Sequence, residues 1–257
     1  AANPRATEIV RQMGETLTLL RRYEEAEAAY DRTLLISPDN EFVPANKAMN
    51  ILLSTGDLEL ADKVLADATS VNRRPTAIVL FTKLRVDWYR GDKNAVQAAL
   101  KAISPMGSLD NQFFYMPISL VQARIEQTIG DPSRSRQLFD EARKQLESLL
   151  VATPEDGRFH SAIGITYAGL GRKGDAIREA QKGVELLPVE KEAWRGSYRL
   201  VSLATVYTMV GEQEKALDVL ERLVSIPADF SVQLLKIDPT WKPLSGNARF
   251  QRLVKRG

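Results

Sequence analysis

Cysteine is absent from the 257 residues, which excludes disulfides, thiolate nucleophiles and cysteine metal sites together. Histidine occurs once, at His160, so neither a His-paired metal site nor a His–His proton relay can be built. Charge of one sign is also missing. The 35 basic and 33 acidic residues leave +2, too little for a field that draws in nucleic acid or anionic lipid. No apolar run approaches the roughly eighteen residues of a membrane span, and the P-loop string G-x-x-x-x-G-K-[ST] does not occur. The sequence begins Ala1-Ala-Asn-Pro4, with no initiator Met and no signal-peptide core. It reads as a piece of a longer protein. What is present is ordinary for a folded chain: 44% hydrophobic and 26% charged residues.

One string raises a chemical question. Within "GITYAGLGRKGDAIREAQKGVELLP" (164–188), Gly169-Leu-Gly171-Arg-Lys-Gly174 spells G-x-G-x-x-G. A dinucleotide-binding turn needs a strand before that string and a helix opening inside it. Here the preceding "FHSAIGITYAGL" has helical periodicity, and no β-branched run lies nearby. The glycines read as a bend between two helices, and no cofactor is expected.

Internal repetition carries the fold. Against 197–230, Gly164 aligns with Ala204, Tyr167 with Tyr207, Gly171 with Gly211 and Ala176 with Ala216, and a proline follows in each, Pro188 and Pro227. Stretch 7–40 places Gly14, Ala26, Tyr30 and Pro38 at the same spacings. Small residues let two helices approach, tyrosines fill the gaps, and proline ends the second helix because its ring clashes with the preceding turn. Three weaker hairpins read at 42–75, 76–108 and 116–154, with 157–190 between the last of these and 197–230. Met49 and Lys83 stand where the second and third hairpins should carry a small residue. Segment 231–257 is not a repeat; Trp241, Leu244, Phe250 and Leu253 suit it to cover the last apolar face.

This pattern resembles the tetratricopeptide (TPR) repeat, about 34 residues forming two antiparallel helices. From Ala142 onward the order of features is similar to TPR-rich C-terminal regions of bacterial multidomain signalling proteins. The resemblance implies an all-α, right-handed solenoid over 1–230 with a capping segment at 231–257. It also implies that first helices line a concave face.

Reading that face gives Asn46, Asn50, Trp88, Arg124, Gln127 and Arg158 as candidate contacts for a protein or peptide partner. Asn46 and Asn50 stand at i and i+4, and side-chain amides can pair with both N–H and C=O of an extended peptide. Trp88 offers apolar contact, and the arginines favour carboxylates. The competing reading makes Trp88 core and pairs Arg124 with Glu126 or Asp131. His160, on a helix face, reads as a packing or surface residue, because general acid–base work also needs a positioned partner.

The expected protein is therefore a non-catalytic scaffold or sensor module serving a larger bacterial regulatory protein in the cytoplasm. A periplasmic site follows if a membrane span lies upstream. The alternative is the regulatory C-terminal region of a multidomain kinase or cyclase-like enzyme. Self-association through the array is a further option, and nucleic acid a minor one.

Overall fold

The computed structural model describes residues 4–71 and 75–256. The end of the second expected hairpin, at 72–74, and the last residue of the expected cap lie outside the described residues. The chain is all-α, built as consecutive helical hairpins: α1 Pro4–Leu19 with α2 Tyr23–Ile36, α3 Val43–Ser54 with α4 Leu58–Val71, and α5 Ala77–Arg90 with α6 Lys93–Ile103. There follow α7 Ile118–Ile129 with α8 Pro132–Ala152, α9 Gly157–Gly169 with α10 Lys173–Leu186, and α11 Ala193–Met209 with α12 Gln213–Ser225. Two short helices, α13 Val232–Ile237 and α14 Ala248–Val254, flank a 3-10 turn at Pro239–Leu244. No helix among the described residues is long and apolar enough to cross a membrane.

Local chemistry sets these boundaries. Asp131, Asp156, Glu192 and Asn247 cap α8, α9, α11 and α14, each carboxylate or amide oxygen accepting from a first-turn N–H. Four bends turn through a glycine of positive φ, among them Gly171 and Gly211, each at 78°. The first bend uses Arg21 at φ 58° instead.

Packing follows the hairpin pattern. Each first helix lies on the second helix of its own hairpin, and α1 on α3, α3 on α5, α7 on α9 and α9 on α11 repeat one contact down the chain. Ala26, Ala61, Ala142, Ala176 and Ala216 are fully buried at those crossings, where a larger side chain would hold the backbones apart. The small residues of the second and third first-helices prove to be Ala48 and Thr82, both buried, one position before Met49 and Lys83.

Residues divide into two compact units. One comprises Ala1–Ile103 with Asp229–Ile237, so α13 packs on α3. The other comprises Ser104–Ala228 with Asp238–Gly257, so the 3-10 turn packs on α11 and α14 on α12. Trp241 and Leu244 are buried in the second unit, Phe230 and Leu234 in the first. The second unit also contains an antiparallel ribbon, β1 Ser108–Asp110 with β2 Tyr115–Pro117.

Candidate partner-binding surfaces

The six residues singled out in the sequence fall three in each unit. In the first unit, Asn46 and Asn50 share α3 but serve different neighbours. Asn46 donates to Glu15 at 3.0 Å, and Glu15 also accepts from Arg11 at 2.5 Å. Burial pushes the Glu15 carboxyl up, against the pull of Arg11 and Asn46. Asn50 is buried; its amide donates to the Tyr23 carbonyl and its oxygen accepts from Thr18, both at 3.0 Å. The Thr18 hydroxyl stands 3.1 Å from that of Tyr30. Asn50 therefore ties the second hairpin to the first through a buried polar chain. Such a group is expensive to leave unmade in low dielectric. Trp88 is buried on α5, at 8% exposure, with its ring 6.0 Å from that of Tyr89.

In the second unit, Arg124 and Gln127 come together. They stand one turn apart on α7 and line a groove of about 460 Å³ with Met209, Thr240 and Lys242. Arg124 donates to the Thr240 hydroxyl at 2.7 Å, which couples α7 to the turn after α13. Gln127 and Lys242 are exposed.

Arg158 lies elsewhere, at the start of α9. It holds Asp156 at 2.6 Å and Asp110 at 2.8 Å, and it donates to the Asn111 carbonyl at 2.7 Å. The Asp156 carboxyl is opposed by burial, yet Arg158 and the Arg158 N–H hold it below its ordinary value. Arg158 thereby fixes the ribbon's tip against the helix start. That tip is a turn in which the Asn111 side chain accepts from the N–H groups of Phe113 and Phe114. The Phe113 ring packs 4.8 Å from Trp194 and 5.1 Å from Tyr198. The hairpin pattern of the sequence does not foretell the ribbon. The signal for it was the turn-forming Asn111 between Leu109 and Tyr115.

The glycine string lies within α9, its bend and α10. Gly169 ends α9, Gly171 takes the left-handed conformation, and Gly174 lies in the first turn of α10. Neither strand of the ribbon leads into it. The ring nitrogens of His160 are each 2.8 Å from an acceptor, Nδ1 from Glu179 and Nε2 from the Pro154 carbonyl. The imidazole links α9, α10 and the turn before α9.

No protein-family model matches the chain, and no curated protein does. Among solved structures, it is similar to the TPR2AB domain of yeast Sti1, described in complex with pHSP90. The identity is 17%, over 98% of this chain and 99% of that one, with a TM-score of 0.31.

Proposed function

We propose that this chain is a non-catalytic, TPR-type protein-binding module that holds an extended acidic peptide in the groove at Arg124 and Gln127. The observation that carries the proposal is the groove's lining. The Gln127 amide and the Lys242 ammonium both face it without a hydrogen-bond or ion-pair partner among the described residues, beside the thioether of Met209. An amide can satisfy both backbone groups of a peptide, a cation draws an acidic side chain, and a thioether adapts to varied apolar contacts. Arg124, held by Thr240, supplies a second cation whose position is fixed. In this reading Asn46, Asn50, Trp88 and Arg158 support the hairpins and do not meet the partner. A larger bacterial regulatory protein, acting in the cytoplasm, is the setting we propose.

The test is an array of acidic and neutral peptides probed with the whole chain, then repeated with Gln127→Ala and Lys242→Glu. Both side chains are exposed, so neither change disturbs packing. Acidic peptides should bind, and Lys242→Glu should weaken them about tenfold or more. Equal binding by wild type and both variants would place the partner away from this groove.

A further inference from the structure

One wall of the groove at Arg124 and Gln127 is made by Pro239, Thr240, Lys242 and Pro243 of the 3-10 turn. The residues immediately before that turn belong to the other unit. Helix α13 is part of the first unit, and the chain from Asp238 onward is part of the second. On the first unit α13 packs against α3, with Leu234 and Leu235 buried. A Cβ added at Gly56, on the bend between α3 and α4, would lie 3.6 Å from Ile237 Cγ2 and 3.7 Å from Gln233 Cβ. Ahead of α13, Arg21 of the first bend donates to the Phe230 carbonyl at 3.4 Å. A helix of six residues is too short to persist in water by itself. It is therefore helical because these neighbours hold it.

Little slack separates this seat from the groove. Ile237 and Thr240 are three positions apart. The Pro239 ring fixes its own φ, and a residue before proline is confined to extended backbone. Asp238 stands there, at φ −75° and ψ 116°. Its carboxylate accepts from the Thr240 N–H at 2.8 Å, and the Thr240 hydroxyl accepts from Arg124 at 2.7 Å. A run of restrained residues thus joins the α13 seat to the groove wall. Releasing α13 frees that run at one end, so a ligand must then order the wall at greater entropic cost.

We propose that the first unit regulates the groove through α13: the seating of α13 on α3 and peptide binding in the groove stabilise each other. The proposal rests on the peptide reading of that groove and adds its control. The coupling is reciprocal, as any coupling between two binding equilibria must be. Loosening the first unit's hold on α13 weakens the peptide, although no described residue of that unit lines the groove. A filled groove in turn tightens the hold on α13.

The probe is the tightest acidic peptide of the array, chosen because Lys242→Glu weakens it, and the whole chain is used. Leu234→Ala, on α13, should weaken that peptide about fivefold. Val96→Ala trims a buried side chain of α6, which packs on α5, and should leave the affinity unchanged. Hydrogen exchange on the wild-type chain reads the coupling in reverse. Saturating peptide should slow the amides of Leu235, Lys236 and Ile237 about fivefold and leave those of α6 as they were. If Leu234→Ala does not fold, this exchange measurement decides alone. Equal affinity of wild type and Leu234→Ala, an equal loss with Val96→Ala, or unchanged exchange in α13 overturns the proposal. If no acidic peptide depends on Lys242, the peptide reading of the groove fails first and this one with it.

Discussion

Three glycines of one string should respond to alanine in three different ways. At Gly169 an added Cβ would lie 2.3 Å from two ring atoms of Phe139. That ring is 1% exposed and cannot swing into solvent, so overpacking should cost about 2–3 kcal/mol. At Gly171 an added Cβ would meet nothing within 4 Å, but φ is +78°. The left-handed penalty is about 1–2 kcal/mol. The stiffer unfolded chain returns part of it, which leaves about 1 kcal/mol of destabilisation. Gly174 meets nothing and has ordinary helical φ in the first turn of α10. Alanine there should stabilise, by about 0.5 kcal/mol.

Urea unfolding reads these differences in the midpoint at constant slope. The chain has three tryptophans. Trp88 lies in the first unit, and Trp194 and Trp241 lie in the second with all three glycines. A Trp88→Phe background therefore confines the fluorescence signal to the relevant unit. The expected order of stability is Gly174→Ala, then wild type, then Gly171→Ala, then Gly169→Ala. A Gly174→Ala variant as unstable as Gly171→Ala would refute the reasoning, because neither contact nor backbone then explains the string. So would a saturable rise in melting temperature with NAD, which would mark a ligand of the native state.

The two halves of the terminal segment should act on different units. Trp241→Ala should cost the second unit about 3–5 kcal/mol, and Leu234→Ala should cost the first about 2–5 kcal/mol. Each is read by thermal melts with tryptophan fluorescence from the other unit as the unchanged control. Acid should separate the units as well. In the second, Asp156 and Glu192 are opposed by burial, but Arg158 and Arg195 hold them low. Their contribution is complete above the unfolded values near about 4 and is lost as pH falls through the lower folded values. In the first, burial holds Glu15 and Asp87 high, so protonation there favours the folded state. Glu8, held low by Arg11, offsets part of this. Fluorescence between pH 6 and pH 3 should show the second unit unfolding first, and the reverse order would contradict these assignments.

The hairpins were legible because their determinants are local. Ala176 and Ala216 under a crossing, Gly171 and Gly211 at a bend, and Asp156 before a helix each act within a few residues of themselves. Where the pattern degenerated, the reading slipped by one position, to Met49 and Lys83. The buried small residues Ala48 and Thr82 were passed over. A one-residue shift on a helix rotates the assigned face by about 100°, so the stripe read from that register mixed buried and exposed positions. Trp88 and Asn50 stand on it, though both are buried.

What the sequence did not disclose depends on residues far apart in it. Asn50 finds Thr18 across 32 positions, Arg124 finds Thr240 across 116, and Arg199 reaches Phe113 across 86. No periodicity encodes those meetings. Arg199 is the sharpest case. On α11 it looks like one more solvated cation among the 35 basic residues. The ribbon folds Phe113 against Trp194 and Tyr198, covering the helix start and removing its water. Burial then pushes the pKa of an ordinary arginine down to about 10. The ribbon had the weakest sequence signal of any element, and it sets the surroundings of that arginine. Sites assembled this way will be missed by any reading that works helix by helix, because the decisive quantity is the solvent a distant segment excludes.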